Sequence, residues 1–225
     1  KYIVKIYNVD GEKQIRNSLY TQKKIYQSLK ITADILLNKN NELYTKYNDK
    51  FYAIQEYIEE QKNTKIDIIE ETSKNLYFLH QELKKLDKTL YKNKKEYSDS
   101  TSIKENIEKT KNELEKIKTP QEVKSIFDKL LNKRKNLLEK YKCEYCPNEF
   151  QVIHRDIRPG NIIVNNNGIY FIDFDFVAYG DLLFEIGSAS MLISDFVIER
   201  AKNFVNIYNS YLEKNIKMKK YIKIY

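Results

Sequence analysis

The chain has 225 residues, 40 Lys and Arg against 32 Asp and Glu, and a formal charge of +8. That length can bury a substantial core, and no run of about 18 apolar residues exists, which excludes a membrane-spanning helix. Lys and Glu alternate along the chain rather than gathering with aromatics in one basic patch, so the composition does not suggest a nucleic-acid partner.

Taken in order, Tyr2-Ile3-Val4-Lys5-Ile6-Tyr7 reads as an apolar strand carrying one Lys. Residues Glu12 to Leu29 read as a helix, with Ile15, Leu19, Ile25 and Leu29 forming an incomplete apolar stripe. Asn41 to Thr45 and Phe51 to Ile58 read as two strands joined through Asn48-Asp49. A long amphipathic helix follows over Ile66 to Leu90, with Ile69, Leu76, Leu79, Leu83 and Leu86 on one face and His80 on or beside it. His80 is expected to be a packing residue.

Ser98 to Ser102 interrupts the pattern and is expected to be a linker. Ile103, Ile107, Leu114 and Ile117 mark a second helix, which ends at Thr119-Pro120. Val123, Phe127, Leu130, Leu131, Leu137, Leu138 and Tyr141 line a third. These heptads are too few and too broken for a free-standing coiled coil. Cys143-Glu144-Tyr145-Cys146 is a C-x-x-C, but the chain has no further Cys to complete a zinc site. Two reduced thiols in a connecting loop fit a cytoplasmic protein.

The chemistry concentrates in the next segment. His154-Arg155-Asp156-Ile157-Arg158-Pro159-Gly160-Asn161 reads H-R-D-x-x-x-x-N, and Tyr170-Phe171-Ile172-Asp173-Phe174-Asp175 follows. Val152 and Ile153 deliver the chain into a buried turn, and Pro159-Gly160 bend it tightly. Ile162 to Val164 and Ile169 to Ile172 read as a hairpin turning at Asn165 to Gly168. Such a hairpin returns Asp173 to the side of Asn161. Phosphoryl transfer needs a carboxylate near the attacking hydroxyl, oxygen ligands for a hard cation, and positive charge at the phosphates. Asp156 suits the first role, Asn161 and Asp173 the second, and Arg158 the third.

The segment from Val152 to Gly187 resembles the catalytic core of the aminoglycoside phosphotransferase and choline kinase superfamily. The family pattern is roughly H-G-D-x-x-x-x-N, then I-D-F/W-x, then G-D-P-x-x-D-L-A. The last piece appears here as Gly180-Asp181-Leu182-Leu183-Phe184-Glu185-Ile186-Gly187. Arg155 replaces the usual Gly, and Glu185 the usual Asp. Only eleven residues separate Asp173 from Glu185, and no A-P-E follows. That leaves no room for a protein-substrate platform, so a small-molecule acceptor is expected.

The resemblance implies an α+β, protein-kinase-like fold of two lobes. Residues 1–58 would be a partial nucleotide-binding lobe. Residues 59–225 would be a mainly helical lobe holding the catalytic loop and hairpin at 152–175, its middle helices helping to shape the acceptor pocket. The fold normally has a phosphate-covering hairpin before the Lys strand, and the chain opens almost on that strand, as a fragment lacking the hairpin would. The resemblance further implies ATP, or GTP, with Mg²⁺, phosphorylating a hydroxyl of an amino sugar, amino alcohol or similar molecule. Lys5 would contact the phosphates, and the Glu56 carbonyl and Ile58 amide would hold the adenine edge. The helix Glu that usually pairs with the strand Lys is replaced by Gln22, so Lys5 would be oriented by a weaker hydrogen bond or by another acid. A kinase-like binding or structural protein with little catalysis, of the spore-coat type, is the alternative.

Overall fold

The computed structural model describes residues 1–8, 11–91, 100–140 and 150–212. Strand β1 (Tyr2–Asn8) leads into helix α1 (Glu12–Leu29), and three strands follow, β2 (Ile35–Leu36), β3 (Thr45–Tyr47) and β4 (Lys50–Glu56). The strands form one antiparallel sheet in the order β1-β4-β2, with β3 also paired to β4. The β1–β4 register pairs Lys5 with Ala53 and Tyr7 with Phe51. Directly opposed residues share a face of a sheet. Lys5 and Tyr7 therefore lie on the side where Phe51 and Ala53 pack with Ile15, Leu19 and Ile35. Tyr2, Val4 and Ile6 lie on the other face and are exposed.

The β3–β4 turn falls at Asn48-Asp49, both at positive φ (44° and 56°). Asn and Asp tolerate that conformation, which the tight hairpin demands. The strand before it is Thr45–Tyr47 rather than 41–45. Asn38 explains the difference. Its side chain accepts from the amides of Asn40 and Glu42 and donates to the Tyr44 carbonyl, folding the segment into a loop.

The remainder is mainly helical. Helix α2 (Ile68–Leu83) is capped by Asp67, whose carboxylate accepts from the amides of Ile69 and Glu70. It stops at Leu83, not Leu90, and Asp87 caps a separate short turn at 88–90. Leu76, Leu79 and Leu83 are fully buried. They pack with Phe171, Phe174, Ile186, Phe204 and Tyr208 in the main core.

Helices α3 (Ser100–Lys116) and α4 (Gln121–Lys140) pack on one another. Residues 100–102, expected as linker, already belong to α3. Ile107 is buried, but Val123, Phe127 and Leu130 of α4 are exposed. The apolar stripe of α4 is wider than its neighbour covers. The C-x-x-C at Cys143 and Cys146 lies outside the described residues. Strand β5 (Phe150–Ile153) pairs with β8 (Ala178–Asp181), and β6 (Ile162–Asn165) with β7 (Gly168–Phe171). Helices α5 (Leu182–Ile193) and α6 (Ile198–Tyr211) close the chain's described part. No described helix is long and apolar enough to cross a membrane.

Candidate functional site

The loop between β5 and β6 is built around two buried side chains. His154 is fully buried. Burial pushes its imidazole below the usual histidine range, so it is neutral at pH 7. Its Nδ1 accepts from the Asp156 amide at 3.3 Å, so Nε2 carries the proton and donates to the Ile172 carbonyl at 3.2 Å. One ring thus ties the backbone at Asp156 to the residue before Asp173. The Phe174 ring packs on it at 4.5 Å.

Glu185, from the first turn of α5, holds the same loop from behind. One carboxylate oxygen accepts from the Arg155 amide, the other from the His154 amide at 3.1 Å and from His80 Nε2 at 2.8 Å. Burial pushes its carboxyl up, yet it is held below the usual range, chiefly by His80 and also by the Arg155 amide. The extra methylene relative to Asp does not prevent these contacts. His80 is the buried packing residue expected, but it also bonds through Nδ1 to the Tyr208 hydroxyl at 2.7 Å. Asp181 caps α5 through the amides of Leu183 and Phe184 and so sets where Glu185 stands. A Cβ at Gly180 would lie 2.8 Å from Ile153 Cδ1, so the buried Ile153 side chain would have to shift to admit one.

Arg155 sits at φ 71°. This is the left-handed region that Gly enters freely and that costs other residues about 1–2 kcal/mol. The position explains why Gly suits it, and the Glu185 bond helps hold Arg155 there.

The polar residues expected in the site gather on this scaffold. Asn161 is buried, and its amide nitrogen donates to the Asp156 carbonyl at 2.9 Å and to the Asp156 carboxylate at 2.6 Å. Both amide protons are thereby used, and its side-chain carbonyl is the group left for a cation. Its backbone carbonyl accepts from the Ile172 amide at 3.0 Å, which sets Asn161 against the approach to Asp173. Asp173 itself is at φ 64°. Lys5 reaches it from β1, Nζ lying 2.7 Å from Asp173 Oδ1 and 2.7 Å from Asp175 Oδ2. The Asp173 carboxyl is held below its usual range by Lys5 against the opposing effect of burial. Arg158 Nε lies 3.1 Å from the Asp156 carboxylate. The Arg158 side chain is half exposed, so this contact is weakly held and easily exchanged.

Glu56 ends β4, and its amide donates to the Asp34 carbonyl at 2.9 Å. The Ile58 amide has no hydrogen-bond partner among the described residues. Gln22 does not meet Lys5. It is buried, and its amide nitrogen donates to the Ala33 carbonyl at 2.9 Å and to Gln55 Oε1 at 3.1 Å. Asp175 meets Lys5 instead and is the other acid expected to orient it, although the sequence did not name it for that role. The signal was an acid two residues after Asp173, where the D-F-G motif of protein kinases has Gly.

The described residues contain no cluster of three or more His, Cys, Asp and Glu suited to a metal. One carboxylate and one amide oxygen suit a magnesium ion that takes its other ligands from phosphates and water.

A family model described as a phosphotransferase enzyme family matches residues 1–216. The chain belongs to this phosphotransferase family. Solved structures share the fold. A spectinomycin phosphotransferase, solved with ADP and spectinomycin, is 15% identical with a TM-score of 0.68, covering 100% of this chain and 70% of that one. Amicoumacin kinase, solved in complex with AMP-PNP, Ca²⁺ and Ami, is 16% identical with a TM-score of 0.66, covering 95% of this chain and 67% of that one. Choline kinase from Streptococcus pneumoniae is 19% identical with a TM-score of 0.52, covering 99% and 72%. A search of the curated proteins gave no match. The chain is thus a phosphotransferase by family and shares its fold with these kinases.

Proposed function

We propose that this phosphotransferase moves the γ-phosphoryl group of ATP, or GTP, to a hydroxyl of a small molecule such as an amino sugar or amino alcohol, working in the cytoplasm. The observation that carries the reading is the bond from Asn161 to the Asp156 carboxylate at 2.6 Å. It joins the residue suited to the acceptor hydroxyl with one suited to the metal. Nucleotides in the spectinomycin phosphotransferase and amicoumacin kinase structures support the nucleotide, and Ca²⁺ in the second supports a divalent ion.

In this reading Asp156 orients the acceptor hydroxyl and accepts its proton as transfer proceeds. Arg158 exchanges its contact with Asp156 for the phosphates. Lys5 contacts the phosphates through an ammonium proton not spent on carboxylates. The Glu56 carbonyl and the open Ile58 amide meet the adenine edge. Asn161 and Asp173 would hold Mg²⁺, which supplies charge neutralisation on the phosphate oxygens.

An acceptor screen tests this. Amino sugars, homoserine, choline and related alcohols are offered with ATP and Mg²⁺, and ADP release is followed. At least one acceptor should stimulate turnover, and Asp156→Asn should lower it by about 10² or more while the fold persists. If no acceptor stimulates release and Asp156→Asn leaves the background unchanged, the binding or structural alternative replaces this reading.

A further inference from the structure

We propose that Asp175 is the positioning residue for Lys5, the acid that holds its ammonium in the phosphate site when Asp173 is engaged with a metal. The inference rests on the phosphoryl-transfer reading above. Lys5 lies between two carboxylates at equal distance, 2.7 Å from each. They are not equivalent.

Asp175 is fixed from three directions that do not involve Lys5. Ser18 Oγ, on α1, donates to Oδ1 at 3.1 Å, and the Tyr7 hydroxyl donates to the same oxygen at 3.3 Å. Gln14 Nε2, also on α1, donates to the Asp175 backbone carbonyl at 2.7 Å and to the Val177 carbonyl at 3.2 Å. Burial and the two nearby carboxylates push the Tyr7 hydroxyl well above its usual range, so it is a donor at any working pH. Asp175 therefore stays in place whatever Lys5 does. Its Oδ1 carries two protein donors and its Oδ2 carries Lys5, which makes it a poorer cation ligand than Asp173.

A divalent cation at Asp173 would compete with Lys5 for the same carboxylate and repel the ammonium. Without Asp175 the ammonium would then have no anion among its present partners. With it, one proton of the ammonium remains on Asp175 Oδ2 and another turns to phosphate oxygen. Gln22 does not contribute this anchor, because its amide is committed to Ala33 and Gln55. Two residues of α1, Ser18 and Gln14, thus act on Lys5 through Asp175 rather than directly.

The test is a double-substitution cycle of Lys5→Met and Asp175→Asn, read in two ways. In the nucleotide-free protein, chemical denaturation should show that the double variant loses less stability than the two single losses added together, since both singles break one pair. Strict additivity overturns the pairing, and this arm decides it even if no nucleotide binds. In calorimetric titration with Mg·ATP, each single should weaken affinity by roughly tenfold, and the double by about the same factor rather than a hundredfold, within the coupling range of contacting pairs. The Mg²⁺ concentration giving half-maximal ATP binding should be unchanged in Asp175→Asn. A raised Mg²⁺ requirement identifies Asp175 as a metal ligand and overturns the proposal. Ser18→Ala, which removes one anchor and leaves the ion pair, is a milder second variant and should weaken Mg·ATP affinity in the same direction. Wild-type protein that binds no Mg·ATP while showing coupled unfolding refutes the phosphoryl-transfer reading and leaves the Lys5–Asp175 pairing standing.

Discussion

Replacing Glu185 with Gln should loosen the loop that carries Asp156, and the cost can be worked from its contacts. Three donors point at the carboxylate, namely the amides of His154 and Arg155 and Nε2 of His80. Gln offers one acceptor oxygen and one NH₂. His80 can adapt by exchanging tautomers and accepting from that NH₂. The two backbone amides cannot, because they bond to different oxygens. Whichever way the Gln turns, one loop N–H faces an N–H. A lost bond to a charged acceptor costs about 1.5–3 kcal/mol, and a buried donor left unsatisfied about 1–3 kcal/mol, two views of overlapping costs. A loss of about 3 kcal/mol lowers the Tm of a chain this size by roughly 6–12 °C.

The acid side gives the sign. Glu185 titrates below the usual carboxylate range in the folded state. The stability its charge contributes is therefore fully present above the unfolded value, about pH 4.3, and is lost as pH falls through the folded value. Differential scanning calorimetry of both proteins should show a constant gap from pH 7 to about 5 that closes at lower pH. A Tm drop below about 2 °C at pH 7, or a gap independent of acid, would refute the clamp.

His154 carries the same sign in a higher pH window. Its folded imidazole titrates below the usual value, so the unfolded chain binds the proton first. Stability should fall as pH drops below about 6.5, the ordinary histidine range, and His154→Gln should remove that slope in urea titrations between pH 7.5 and 5.5. Leu79, fully buried in the core cluster that includes Phe171 and Phe204, should cost about 2–5 kcal/mol when cut to Ala. Urea midpoints with unchanged slope would measure it, and a loss below about 1 kcal/mol would show a softer core than the packing implies.

The fold was legible where periodicity and turn chemistry agree. Helix α1 runs from Glu12 to Leu29 as its stripe requires, and the β6–β7 hairpin turns at its Asn pair. Reading failed where a local hydrogen bond overrides periodicity. Asn38 folds its segment into a loop, and the Asp87 turn ends an apolar pattern that continues to Leu90. The polar residues proposed for the site were legible as candidates because H-R-D-x-x-x-x-N and the later Asp need fixed spacing. Their supports were not. Ser18 and Tyr7 meet Asp175, and His80 meets Glu185, across more than a hundred residues of chain, and nothing in the order of residues announces those contacts. Glu185 was visible as a departure from the family pattern, but only the structure shows that its longer side chain still reaches both loop amides.

Calorimetric titration of ATP in the presence and absence of Mg²⁺, for wild type and Asp173→Ala, tests the central claim most directly. Wild type should bind ATP with an affinity that rises with Mg²⁺, and Asp173→Ala should lose most of that rise, because a carboxylate ligand has gone while Lys5 keeps Asp175. Identical Mg²⁺ dependence in the two proteins would contradict the account.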